Sequence, residues 1–484
     1  MQRGTPRTSW PWIASFYAAF ACGICCGAEE RPNILLVLSD DHSAALVGCY
    51  GNRDVRTPQL DALAAEGLRC ERAYVACPQC VPSRAAIMTG RSPVAVQMTR
   101  FTAPLPRDVV TYPELLRKSG YFTGVAGRTY HLDGAPPELM NELNLKSFPE
   151  RLDYVKQAGN RAEMLAQYRE FLDRSPKDKP FFLQLCFSDP HRPYDAPSVH
   201  DPARLTLPPH YPDTPGVRAD LAAIYDEIAR FDGDLKEVLD ELKTRGISDN
   251  TLVAVMGDNG SAQFRGKGTL NELGVHVPLI VRWPKCVKPG RASSALISGE
   301  DLAPTFLEAA GAPVPAEMTG HSFLPLLRDA SFEPRKFLFA ERGAHGGGLP
   351  TGSAAFDLGR CIVTPTHKLI YNATWQLPYQ PVDFNGMPFF KELVQLNSEG
   401  KLDAKLAAFY FAPQRPMFEL YDLAADPWEL TNLAGRPELS ELEAGLKREL
   451  AIRMVRERDF VPLPITEKAK SPGKAKAKAR RAAP

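Results

Sequence analysis

Beyond Pro32 the chain alternates short apolar runs with stretches whose apolar positions recur every three or four residues, the pattern of an α/β fold on a mainly parallel sheet. Ile34–Leu38, Gly124–Ala126 with its neighbours, Phe181–Phe187, Leu252–Met256 and Pro278–Arg282 read as buried strands. Thr57-Pro58 opens a helix whose Leu60, Leu63 and Ala64 share a face, and Gly67 closes it. A longer amphipathic helix carries Leu221, Tyr225, Ile228, Leu235, Val238 and Leu242.

In open α/β sheets ligands bind beyond the carboxyl ends of the strands, so the residues after each run carry the chemistry. Ile34–Leu38 is followed by Ser39-Asp40-Asp41-His42, and Leu252–Met256 by Gly257-Asp258-Asn259-Gly260. Gly124–Ala126 leads to Gly127-Arg128-Thr129-Tyr130-His131, and Phe181–Phe187 to Ser188-Asp189-Pro190-His191. If these strands are parallel neighbours, acids, an amide, two histidines and an arginine meet on one rim. A lone Asp after a strand is usually a turn former. Two such polar pairs after two buried runs instead predict a hard-oxygen cage of carboxylate and amide oxygens at Asp40, Asp41, Asp258 and Asn259, suited to Ca²⁺ or Mg²⁺.

The composition of 44% hydrophobic and 24% charged residues excludes a wholly disordered or fibrous chain, and 484 residues allow one large and one small domain. The net charge of +1 hides a basic end, because Glu467 to Pro484 holds seven Lys or Arg and one Glu. That segment cannot bury apolar surface and is expected to be disordered. The remaining body is mildly acidic and shows no nucleic-acid module, so nucleic acid is not expected as a partner. At the other end Arg3 and Arg7 precede an uncharged run from Thr8 to Ala28, read as a secretory signal cleaved near Ala28, with a retained membrane anchor as the alternative. Three of ten cysteines lie in that run, and Asn372-Ala373-Thr374 has the form of a glycosylation acceptor.

The densest signal is Cys80-Val81-Pro82-Ser83-Arg84 followed by Thr89-Gly90-Arg91. It resembles the type I sulfatase signature, a cysteine, proline, serine and arginine at fixed spacing with a downstream Thr-Gly-Arg. In chain order it is joined by Asp40-Asp41, Arg128 with His131, Pro190-His191, Asp258-Asn259-Gly260, and Lys267 ahead of Glu272-Leu273-Gly274. Leu420-Tyr421-Asp422-Leu423, Asp426-Pro427-Trp428-Glu429 and Asn432-Leu433-Ala434 resemble the family's closing motif. The resemblance spans about residues 31 to 435.

It implies an alkaline phosphatase-like α/β/α sandwich over residues 31–345 and a smaller C-terminal α+β subdomain over 346–465, with an antiparallel strand at Cys361–Tyr371. Residues 1–28 are then the signal and 466–484 the tail. It further implies that Cys80 becomes formylglycine through a maturation enzyme. Hydrated to a geminal diol and activated by a metal, expected to be one Ca²⁺, residue 80 would attack sulfur, and its second hydroxyl would expel sulfate. Arg84, Arg128 and Lys267 would add positive charge, and His131 and His191 would move protons. Arg128 departs from the family's usual lysine and, as a guanidinium, cannot serve as a proton source. The expected protein is an exported hydrolase of sulfate esters or sulfamates, with a sulfated glycan as substrate by family analogy. Two alternatives stay open: a phosphate or phosphonate ester hydrolase on the same fold, and a glycan-binding protein with unmodified Cys80.

Overall fold

Three runs that are apolar along nearly their whole length, β1 (Asn33–Ser39), β5 (Phe181–Cys186) and β6 (Thr251–Gly257), lie side by side in the middle of one sheet. Buried on both faces, they need no polar alternation. In this computed structural model, which describes residues 31–101, 105–106, 108–129, 142, 148–345 and 355–465, they belong to an eight-stranded sheet. Its other strands are β2 (Leu68–Tyr74), β3 (Phe122–Gly127), β4 (Tyr154–Gln157), β7 (Leu279–Arg282) and β8 (Arg291–Ser298), in the order β4-β3-β5-β1-β6-β7-β2-β8. The signal and the basic tail expected from sequence lie outside the described residues.

Register places the chemistry. β1 runs parallel to both neighbours, with Leu38 opposite Cys186 and Ser39 opposite Gly257, while Gly127 of β3 stands opposite Cys186. The carboxyl ends of β3, β5, β1 and β6 are therefore level. The antiparallel strand in this sheet is β7, which pairs with β6 and β2.

Alternate residues of β1 feed opposite cores. Leu35 and Val37 pack with Phe231, Leu235 and Val238 of the helix Pro215–Thr244, and Leu36 and Leu38 face the side of the helices Cys80–Thr89 and Leu302–Ala309. Each fully buried Leu or Phe contributes about 1.5–3 kcal/mol, and the result is the expected sandwich.

A second sheet, β9 (Leu338–Ala344), β10 (Phe356–Val363), β11 (His367–Asn372) and β12 (Phe418–Asp422), is antiparallel in the order β12-β11-β10-β9. The single strand expected at Cys361–Tyr371 is a hairpin. Pro365 cannot donate to a ladder, and Thr364 N–H bonds the His367 carbonyl at 2.8 Å to close the turn. The helix Ser440–Arg456 lays Leu446, Leu450 and Met454 on this sheet. The acceptor form at Asn372 is no open site, because its amide is 5% exposed and donates to the Pro416 carbonyl at 2.8 Å and to Glu419 at 2.6 Å. Among the described residues no helix is long and apolar enough to cross a membrane.

Candidate active site and metal centre

Just past the level strand ends the ladder continues as single bonds: Asp258 N–H to the Ser39 carbonyl at 3.0 Å, His42 N–H to the Asn259 carbonyl at 2.8 Å, and Asp40 N–H to the Asp189 carbonyl at 3.0 Å. These bonds hold Asp40-Asp41 and Asp258-Asn259 in the sheet's frame. Asp41 takes a left-handed φ of 66°, a conformation that costs a non-glycine residue and persists where surroundings fix it. Here its N–H donates to Asp258 Oδ1 at 3.1 Å.

Cys80 is the first residue of its helix, with Gln79 before it, so unpaired N–H groups and the positive end of the helix dipole surround the side chain. Its sulfur lies 3.4 Å from Asp40 Oδ1 and 3.9 Å from Asp41 Oδ1. One turn on, Arg84 donates from Nε to Asp258 Oδ2 at 2.8 Å, from Nη2 to Asp40 Oδ2 at 3.0 Å and from Nη1 to the Arg128 carbonyl at 2.9 Å. Arg128 reaches Asp40 Oδ2 at 3.2 Å. Lys267 reaches Asp41 Oδ1 at 2.8 Å, and its loop is tied to the cysteine loop by Gly268 N–H to the Pro78 carbonyl at 2.8 Å. His191 stands with Nε2 3.9 Å from Asp41 Oδ2 and 3.4 Å from Arg128 Nη2.

One atom each of Asp40, Cys80 and Asp258 lies within 4.8 Å of the others, as do atoms of Asp40, Asp41 and His191. Burial and the neighbouring Asp40 push the Asp258 carboxyl up despite Arg84. Burial, then Asp40, pushes the Cys80 thiol far up, with Lys267 opposing. Asn259 donates Nδ2 to Asp41 Oδ1 at 2.8 Å, while its buried Oδ1 has no hydrogen-bond partner. An orphaned amide oxygen beside crowded carboxylates fits a divalent cation with oxygen ligands.

The structure brings together Asp40, Asp41, Cys80, Arg84, Arg128, His191, Asp258, Asn259 and Lys267; His131 lies outside the described residues. His42 is a core residue: it bonds Ser39 Oγ at 3.1 Å, meets Phe231 edge-on and is pushed down to about 3 by burial. His276 stacks on Tyr74 and pairs with Glu272 at 3.2 Å. Asp383 enters the site without a sequence signal, since no strand end precedes it. Its Oδ2 lies 2.8 Å from Lys267 Nζ and 3.9 Å from His191 Nε2. Burial alone would raise its carboxyl, but Lys267 and His345 hold it well below the usual range.

The sulfatase family profile matches residues 32–312, a stretch that contains every acid, base and cation just described except Asp383 and His345. The chain belongs to the sulfatase family. It is a type I sulfatase of the alkaline phosphatase-like superfamily and an enzyme of the sulfuric-ester hydrolase class. An ulvan-active sulfatase of Formosa agariphila is 30% identical over 435 residues, covering 87% of this chain and 80% of its own. The human N-sulphoglucosamine sulphohydrolase is 30% identical over 476 residues, 88% of this chain and 90% of its own. In fold the sulfatase resembles a structure solved with its substrate D-glucosamine-2-N,6-O-disulfate, at TM-score 0.68 and 21% identity over 90% of this chain and 100% of that one. The phosphonate monoester hydrolase of Silicibacter pomeroyi shares the fold at TM-score 0.69 and 21% identity over 89% and 96%.

The closing motif of this sulfatase is structural. Glu429 accepts from Glu272 N–H at 2.8 Å and pairs with Lys368 at 3.0 Å, and Asn432 Oδ1 accepts from Leu420 N–H at 2.9 Å. It fastens the second sheet to the turn that follows Lys267.

Proposed function

We propose that this sulfatase hydrolyses a sulfate ester or sulfamate on a sulfated glycan, with formylglycine made from Cys80 as nucleophile and one Ca²⁺ as cofactor. The observation that carries the reading is the sulfur 3.4 Å from Asp40 Oδ1, inside a set whose other atoms are carboxylate oxygens of Asp40 and Asp258. A thiol suits such a hard set poorly, and this one is kept protonated by burial and by Asp40, so it is also a poor nucleophile. Exchange of its sulfur for oxygen removes both mismatches.

Asp40, Asp41, Asp258 and Asn259 would hold the metal beside residue 80. Three carboxylates and an amide approach the oxygen count that Ca²⁺ takes more readily than Mg²⁺. When bound, the cation supplies Lewis-acid stabilisation of negative charge at that residue. Arg84 is wholly enclosed and all its nitrogens are engaged, so it neutralises the carboxylates and acts on the sulfate at one remove. The helix N-terminus, Arg128 and Lys267 remain to face the anion. His191 and His131 are assigned the proton transfers, because Arg128 keeps its charge.

Two of the relatives at 30% identity, one ulvan-active and one an N-sulphoglucosamine sulphohydrolase, support a saccharide substrate. An N-terminal signal over residues 1–28 and an exported location, with a maturation enzyme as partner, complete the reading. So does division into a catalytic domain over 31–345 and a C-terminal subdomain over 346–465. Mass spectrometry of the tryptic peptide Ala73–Arg84 should show exchange of H₂S for oxygen, and sulfate esters should turn over faster than phosphate or phosphonate esters. An intact thiol in active, natively produced protein ends the formylglycine mechanism. The reverse substrate order moves the enzyme to phosphoester chemistry.

A further inference from the structure

Asp383 comes from the segment between β11 and β12, far from the strand ends that supply the rest of the site. Its neighbours Val382 and Phe384 are 2% and 0% exposed, and Phe384 stacks on Phe389 with ring centres 5.5 Å apart. Pinned on both sides, Asp383 takes a left-handed φ of 65°. A non-glycine residue adopts that conformation when its surroundings impose it. What it achieves is delivery of a carboxylate to the rim: Oδ2 lies 2.8 Å from Lys267 Nζ and Oδ1 3.5 Å from His345 Nε2. His345 is itself held, with the Phe101 ring edge-on at 4.6 Å and its backbone N–H on the Ala355 carbonyl at 2.6 Å.

We propose that Asp383 is a positioning residue that aims Lys267 at the transferred sulfate, with His345 holding the carboxylate from behind. The proposal rests on the sulfatase reading above. A lysine ammonium is a point charge on a flexible stem with three donors, so one carboxylate does not fix it. Asp41, its other partner, also belongs to the metal set. Lys267 Nζ lies 2.8 and 3.0 Å from the two Asp41 oxygens and 2.8 Å from Asp383 Oδ2, so a donor shared by the Asp41 pair and a second drawn to Asp383 leave the third to turn to the anion. The charge on Asp383 opposes a nearby sulfate, so its presence does not serve affinity. Positioning and Coulomb repulsion therefore predict opposite signs in two parameters. Removing the charge should lower kcat, because misplacing a catalytic cation by about 1 Å costs up to about a hundredfold, while KM stays level or falls.

The test is a double-mutant cycle on the full-length, formylglycine- and metal-loaded enzyme with a small sulfate ester. Asp383→Asn should lower kcat about tenfold or more without raising KM. Added to Lys267→Ala it should cost nothing further, since both changes remove one function. A further loss in the double variant beyond Lys267→Ala, or full kcat in Asp383→Asn, overturns the proposal. If Asp383→Asn does not fold, His345→Gln decides by the same criteria, with a smaller loss expected. Should the wild-type enzyme prefer a phosphoester, the function reading fails, and the cycle is run on that ester with the same outcomes.

Discussion

Arg84 Nε donates to Asp258 Oδ2 at 2.8 Å with both side chains 0% exposed. The same planar fork reaches Asp40, so one cation spans the acidic groups of two neighbouring strand ends. Lysine cannot span them. Arg84→Lys should destabilise the metal-free protein by about 3–5 kcal/mol, the range for breaking a buried ion pair. Urea unfolding checks this, and added Ca²⁺ should shrink the deficit, because the cation compensates the carboxylates that lysine leaves unpaired and so stabilises the variant more than the wild type. Equal midpoints for variant and wild type without metal would show that Arg84 does not compensate these carboxylates.

Metal affinity should depend on pH through Asp258, whose carboxyl is raised by burial and by Asp40. Binding requires the ionised form and displaces the proton. Affinity for Ca²⁺ should therefore rise as pH rises through the neutral range, where ordinary carboxylates are already ionised. Calorimetric titration in buffers of different ionisation enthalpy measures the released proton. Asp258→Ala should lose both bound metal and turnover while far-UV circular dichroism is retained. Full turnover after exhaustive chelation would remove the metal from the mechanism.

Glu341 of β9 is pushed up to about 8, because burial outweighs Arg360. Its folded value lies above the unfolded one, so its stabilising contribution is complete below about pH 4.5 and is lost as pH rises through 8. Over that window the loss is of order 5 kcal/mol. Asp232 and Asp301, both pushed up to about 6 by burial, act in the same direction over a lower window. Glu341→Gln keeps an acceptor for Val94 N–H, so thermal unfolding of this variant should be flatter between pH 6 and 8 and higher than wild type at pH 8. Parallel profiles would show that Glu341 ionises freely.

The strands that carry the site were legible because each is an uninterrupted apolar run ended by polar residues, as at Leu38–Ser39 and Met256–Gly257. β2 and β8 escaped that reading because Arg69, Glu71 and Arg72 break the first and serines the second, although both are paired in the sheet. The clustering of Asp40, Asp41, Asp258 and Asn259 could be read from an acidic pair and an acid-amide pair directly after two strand ends. Asp383 could not. Its position depends on the packing of Phe384 against Phe264 and Phe389, and such tertiary anchoring leaves no local spacing to recognise. The burial of Arg84 behind the carboxylates was equally hidden, because a motif fixes which residue is present and not which way it faces.

Gly260, directly after Asn259, sits where no side chain fits. A Cβ there would lie 1.8 Å from the Leu273 carbonyl oxygen and 2.7 Å from Gly274 Cα. The opposing turn is held in place by Gly260 N–H to the Gly274 carbonyl at 2.9 Å and by Glu272 N–H to Glu429 at 2.8 Å. Gly260→Ala must therefore displace either that turn or the metal-binding loop, at about 1–3 kcal/mol for overpacking. If the loop yields, Asn259 moves with it, and Ca²⁺ affinity should fall about tenfold beyond the stability change. Gly233 is the control: it lies inside the exposed side of the helix Pro215–Thr244, and a Cβ there meets nothing within 4 Å. Gly233→Ala should raise stability by about 0.4–1 kcal/mol by restricting the unfolded chain, with Ca²⁺ affinity unchanged. Thermal unfolding and Ca²⁺ titration of the two variants separate the effects. Unaltered affinity in Gly260→Ala would show that the turn gives way while His42 N–H and Asp41 keep Asn259 in place.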